Sequence, residues 1–185
     1  MILDPNGMPI LQPTVDNAET ATFNDAFAAI GNALAGVTEY ITALLERSTT
    51  AYSLPNGAYT QLTGTQLTTV SALGATVSGG AITVPVDGVY QIDSAVSFVA
   101  NGAGGRQFTV NKNSTSAGTN AILFNGVAGT STSAQSVAGS KRIPLLAGDV
   151  IRMFIYQNSG GPLELPVSPG WAVGTYLQVS LIPGS

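Results

Sequence analysis

Few side chains in this sequence can do chemistry. The 185 residues include ten carboxylates and six Lys or Arg, with no His and no Cys. That composition removes disulfides, thiolate nucleophiles, Cys/His metal sites and His-based triads. Glycoside hydrolysis needs paired carboxylates about one bond, yet after Thr50 the only acids are Asp87, Asp93, Asp149 and Glu164, scattered singly. Asp149 has the look of a catalytic or calcium carboxylate. No second acid lies near it in sequence, and a Gly-Asp pair can accept turn amides ahead of a strand. Glu164, in a Pro-rich stretch, could meet a sugar or a neighbouring subunit. Lys141-Arg142 reads as a solvated edge. We expect no catalysis, cofactor or metal. The late aromatics Tyr156, Trp171 and Tyr176 are the candidates for ligand contact.

Composition narrows the remaining classes. Only 9% of residues are charged, while 44% are hydrophobic, too many for simple disorder. Up to Thr50 six acids face one base, net −5; beyond it four acids face five bases, net +1. Neither half offers the basic footprint of a nucleic-acid binder. No apolar stretch is long enough to span a membrane. Asp4 and the early prolines interrupt what a signal peptide would need.

The elements that would position a head come next. Phe23, Phe27, Ile30, Leu34, Val37, Ile41 and Leu44 are spaced 4, 3, 4, 3, 4, 3, the heptad seam of a coiled coil. Asp16 and Glu19 form a capping-box start, and Arg47 has the right sign for the other end. The oligomerising helix is read over residues 16–47; from about Asn17 to Glu46 it would be roughly 45 Å long. Its seam must be covered either by copies of itself or by the following domain. Gly31, Gly36 and many Ala leave its surface small and nearly uncharged, which suits either close helix approach or a plain Ala-rich helix. Residues 1–15 (MILDPNGMPILQPTV) are too apolar for an idle tail and too rich in Pro for a helix. They read as an extended arm docking onto another protein or lying on the chain's own helix. Residues 48–57 read as a linker.

From residue 58 to 185 the hydrophobic period is two. Strands are predicted over 59–63, 66–71, 81–85, 89–100, 106–111, 121–125, 133–143, 150–156 and 175–182, with Gly-rich turns between and a Pro/Gly loop over 158–169. Strands with no helix between them imply an antiparallel sandwich or barrel.

Three motifs then carry a resemblance. Gly88-Val89-Tyr90-Gln91-Ile92, Leu146-Ala147-Gly148-Asp149-Val150 and Trp171-Ala172-Val173-Gly174-Thr175-Tyr176-Leu177 resemble, in order and spacing, motifs of the C1q/TNF-like jelly roll. Ile92 stands where an aromatic is usual. The second motif is one residue short before its Gly, and the third one residue long. The resemblance implies a mainly β fold, an antiparallel jelly-roll sandwich behind an N-terminal coiled-coil-like helix, and a compact trimer on a stalk. Read physically, Gly88 would occupy a turn with positive φ, and Tyr90 would enter the core with its hydroxyl at an edge.

Arm, seam and head together suggest a structural virion component: a short homotrimeric fibre, spike or collar protein of a bacteriophage. It would be assembled in the host cytoplasm, contact other virion proteins through residues 1–47, and attach to a host surface glycan or protein. An oligomeric carbohydrate-binding module is the alternative. Replacing Ile30 and Leu34 together by Asp sets like charges around one axis. Circular dichroism should then show lost helix and retained strand signal; full helicity in this variant would remove the seam.

Overall fold

From Ile41 onward, apolar side chains alternate between a buried and an outward set, and hydrogen-bonded neighbours keep that alternation in phase. The structure, a computed structural model, describes residues 41–50, 52–130, 133–167 and 174–184. They lie in one unit, Glu39–Ser185. In chain order the strands are β1 (Thr42–Arg47), β2 (Tyr52–Leu54), β3 (Thr60–Gln61), β4 (Leu67–Leu73), β5 (Thr76–Ser78), β6 (Ala81–Thr83), β7 (Gly88–Phe98), β8 (Gly105–Lys112), β9 (Ala121–Ala128), β10 (Gln135–Leu145), β11 (Val150–Gln157), β12 (Leu163–Leu165) and β13 (Tyr176–Leu181). There is no helix among the described residues.

One sheet runs β10-β7-β13-β1-β4, and a second runs β5-β6-β11-β8-β9, with β3 also paired to β11. A short β12-β2 ribbon stands beside them. Every pairing is antiparallel. The core lies between the inner faces: Ala43, Leu45, Tyr90, Ile92, Val96, Phe98, Leu177 and Val179 come from the first sheet, and Ile82, Phe108, Val110, Ile151, Met153 and Ile155 from the second. Burying each large apolar side chain contributes about 1.5–3 kcal/mol, so the strand register is held wherever one face is apolar. Tyr90 is fully buried, and its hydroxyl donates to Val86 O at the sandwich edge at 2.9 Å, as its place in the motif implied.

Three expectations need correction. Thr42–Arg47 is a strand and not the end of a helix. Ala, Leu, Glu and Arg favour helix locally, but that propensity is worth only tenths of a kcal/mol per residue. Here Ile41, Ala43 and Leu45 enter the core on a period of two, and both edges of the strand find ladders, against β13 and β4. Ile41 and Leu44 therefore belong to the sandwich and leave the heptad seam. Phe23, Phe27, Ile30, Leu34 and Val37, with the arm over 1–15, lie outside the described residues.

Second, the segment read as a linker contains β2, whose Leu54 is buried, and the domain starts well before residue 58. Third, Gly88 opens β7 without a positive φ. A Cβ there would collide with Leu181 Cδ1, so the glycine serves close packing between β7 and β13. The predicted strands from residue 59 onward otherwise match, while β5 and β12 were missed.

A chain beginning at residue 39 is expected to fold with one cooperative urea transition, and a chain beginning at residue 58 to lack one, because it loses β1. Leu45→Ala in the full chain should cost about 2–5 kcal/mol, read as a lowered urea midpoint for the strand signal.

Candidate functional site

Asp149 is a turn residue. Gly148 sits at φ +87, a conformation that favours glycine. This lets the Asp149 carboxylate turn back to accept the Leu146 N–H at 2.9 Å. Asn113 Nδ2 donates to its other oxygen at 2.6 Å, and Lys112 Nζ lies 3.3 Å away. Burial alone would raise the Asp149 pKa; these donors and the lysine charge outweigh it and hold the group below its usual range. The carboxylate ties the β10–β11 turn to the end of β8, and its oxygens are occupied. Among the described residues, no group of three or more acids is placed to hold a metal ion.

The candidate aromatics do not converge. On β13, Leu177 and Val179 are buried, so by alternation Tyr176, Gln178 and Ser180 look outward from the first sheet. On β11, Ile151, Met153 and Ile155 fill the core, so Arg152, Phe154 and Tyr156 look outward from the second. Tyr156 and Tyr176 thus sit on opposite sides of the sandwich. Trp171 lies outside the described residues. Lys141 and Arg142 are exposed on β10, which is an edge strand, and Glu164 lies exposed on β12 opposite Ser53.

The outward face of the first sheet is built from small and polar side chains that satisfy one another. Thr42 and Ser180 hydroxyls meet at 2.8 Å across β1 and β13. Asp93 accepts from Ser140 Oγ at 2.6 Å and from Gln91 Nε2 at 3.1 Å. Arg142 Nε donates to Gln91 Oε1 at 3.2 Å, and the Ser97 and Ser136 hydroxyls meet at 2.8 Å. Tyr176, the first residue of the central strand β13, is set opposite Ala95 near one end of this face. Its pKa is raised, first by burial and then by the Asp93 charge, so the phenol stays protonated. Towards one end, a cavity of about 210 Å³ is lined by Glu46, Arg47, Gly174, Thr175 and Tyr176. The Arg47 guanidinium gives its terminal nitrogens to the carbonyls of Ser48, Gln66 and Thr50, while its Nε has no partner among the described residues.

The outward face of the second sheet differs. Register places Tyr156 beside Gln107, and Gln107 beside Gly126. On the other side of β11, Phe154 faces Gln61, which puts Tyr59 next to Tyr156. The Tyr59 and Tyr156 ring centroids are 4.9 Å apart at 35°. Tyr59 Oη donates to Gln107 Oε1 at 2.8 Å. A Cβ at Gly126 would lie 2.8 Å from Gln107 Cγ, so glycine leaves room for that side chain to lie across β9. Tyr59 is 43% and Phe124 58% exposed. Reading the sequence singled out only Tyr156 here, since its neighbours come from β3, β8 and β9, far away along the chain.

Two antiparallel sheets in this order form a jelly roll of the TNF-like class. Among solved structures, the chain is similar to murine APRIL at pH 5.0, with 18% identity over 77% of this chain and 99% of that one and a TM-score of 0.58. It is also similar to Eiger TNF from S. frugiperda, with 13% identity over 78% of this chain and 94% of that one and a TM-score of 0.59. At this identity the likeness is one of fold. No family model matches the sequence, and no curated protein matches it.

Because its folded pKa is depressed, Asp149 contributes stability that is fully present above the unfolded carboxylate value, about pH 4, and is lost as pH falls through the folded value. Asp149→Asn should therefore unfold in less urea than the parent chain at neutral pH. The gap should close at acidic pH, as read from denaturation curves across the pH range.

Proposed function

We propose that the chain is a non-catalytic structural component of a bacteriophage virion, a short homotrimeric fibre, spike or collar protein whose β-sandwich is the projecting head for host attachment. The observation that carries the reading is the outward face of β10-β7-β13-β1-β4. Its hydroxyls and amides are paired with each other, so a docking copy strands few of them unsatisfied, and desolvation opposes association less. Its side chains are mostly Ser, Thr, Ala and Gln, with Tyr176 near one end of the central strand, which permits close approach of a second copy. In a closed ring each copy would present this face to its neighbours. The TNF-like fold supports the trimer, since the family that the motifs resemble forms compact trimers. The heptad spacing of Phe23, Phe27, Ile30, Leu34 and Val37 ahead of the head supports a stalk, with residues 1–40 contacting other virion proteins.

Sedimentation equilibrium at micromolar concentration should return three times the 18.7 kDa chain mass. Ala138→Glu with Ser180→Glu, both on that face, should lower the mass towards one chain with the strand signal intact. A monomeric parent protein, or a double variant that keeps the trimer mass, would defeat the reading. Peptide mass spectrometry of purified particles should find this chain in the virion.

A further inference from the structure

The opposite side of the sandwich has a different chemistry. Tyr59, Tyr156 and Gln107 lie in one row across three neighbouring strand positions, about 10 Å from first to last at the usual strand spacing. Tyr59 is exposed, and Tyr156 and Gln107 are half-buried. The Tyr59 hydroxyl occupies Gln107 Oε1, which fixes the amide and leaves Nε2 as a donor with no partner among the described residues. Gln61 stands in the next row, half-buried beside Phe154, and Phe124 is exposed further along it. Among the described residues of these outward rows, the one charged side chain is Arg152, two residues before Phe154 on the same face of β11.

We infer that this face binds neutral carbohydrate, with Tyr59 and Tyr156 stacking on sugar rings and the Gln107 amide bonding to a ring hydroxyl. The inference deepens the host-attachment reading and rests on it for its biological sense. Three physical points select the ligand. Sugar rings present C–H groups to the electron-rich face of an aromatic ring, while their hydroxyls need donors and acceptors at the edge; tyrosines flanked by amides supply both. The rows carry no carboxylate and a single cation, so charge complementarity favours an uncharged partner. A single-stranded nucleic acid would also stack on aromatics, but it needs a basic groove that tracks its phosphates, and one arginine does not make one. A protein partner would want a deep apolar pocket for an anchor residue, whereas the neighbouring row is already filled by the buried Phe154 and Thr109. The Tyr59–Gln107 bond and the glycine at 126 hold the row open before any ligand arrives, which lowers the ordering cost of binding.

The test is titration calorimetry on the full-length chain with a panel of neutral oligosaccharides covering gluco-, galacto-, manno- and N-acetylated hexoses, with dextran sulfate as the anionic arm. At least one neutral series should bind with a dissociation constant of about 1 mM or tighter. Tyr156→Ala should weaken it about tenfold or more, and Gln107→Leu should do likewise. Tyr59→Phe, which keeps the ring and frees the amide, should weaken it severalfold with the fold undisturbed. Leu146→Ala, at the exposed β10–β11 turn and on neither face, should leave it unchanged. Absence of binding by every neutral sugar at roughly 10 mM, equal affinity in Tyr156→Ala and Tyr59→Phe, or binding of dextran sulfate alone would overturn the inference. Mass is read alongside. A trimer that binds no sugar removes only the platform, and a monomer that binds sugar removes only the trimer.

Discussion

The insertion of β1 between β13 and β4 is the constraint on which the rest of the sandwich depends. Each residue of Thr42–Glu46 is paired on both sides, to Ser180 through Tyr176 and to Leu73 through Thr68. Without this strand the first sheet would lose its continuity, and Ile41, Ala43 and Leu45 would leave a slot in the core opposite the second sheet. The fit is adjusted by a bulge. Leu44 pairs with Ser71 and Leu45 with Thr69, so Val70 is the extra residue of β4. Bulges bend the strand that carries them and increase its twist, and Val70 turns outward, exposed, at that point.

Two arginines extend the same logic to the loops. Arg106 is 0% and Arg47 8% exposed, and neither has a carboxylate partner among the described residues. Arg106 gives its donors to the carbonyls of Ala103, Gly105 and Asn101, and Arg47 to those of Ser48, Gln66 and Thr50. Burial lowers both guanidinium pKa values, more than the effect of Tyr52 on Arg47 raises it; they remain cationic because the ordinary value is so high. The balance is close. Removing a guanidinium from water costs several kcal/mol, hydrogen bonds from a charged donor return about 1.5–3 kcal/mol each, and each Nε finds no partner. What the arginines add is geometry, since one planar fork gathers several loop carbonyls at once. The arginine's place in a strand next to a turn is what makes this possible, and a lysine could not span the same set.

Much of the sandwich was legible from alternation. Tyr90, Ile92, Ser94, Val96 and Phe98 repeat on a period of two through β7, and all of them are buried. The turn role of Asp149 was equally readable, because Gly-Asp before an apolar strand has few other uses. Ile41 and Leu44 misled because they satisfy a heptad counted backwards and the start of a strand counted forwards; only the neighbouring strands decide between the two. β5 and β12 are three residues each, too short to show a period. The row of Tyr59, Tyr156 and Gln107 could not be read from spacing at all, since register between strands brings it together. A single tyrosine on an alternating strand shows which side of its own strand it occupies, and nothing about its neighbours on the sheet.

The two outward faces also explain how so lightly charged a chain can divide its surface. A sheet with one buried face must spend its other face on something, and charge is the ordinary choice because it resists edge and face association. Here charge is sparse, and each face uses a different substitute. On the first sheet the polar groups are turned towards one another, Ser140 to Asp93, Arg142 to Gln91, Thr42 to Ser180, so the face is polar in composition but partly saturated in hydrogen bonding. On the second, the Tyr59–Gln107 bond uses one acceptor and leaves the amide donor available beside the exposed Tyr59 ring, which also packs against Tyr156. A saturated face suits a surface of matching flatness, such as another copy of itself. An unsaturated one suits a partner that brings its own donors and acceptors. If copies associate through the first face, as proposed, the second is left facing outward, and the fold would then separate the proposed assembly from the proposed recognition.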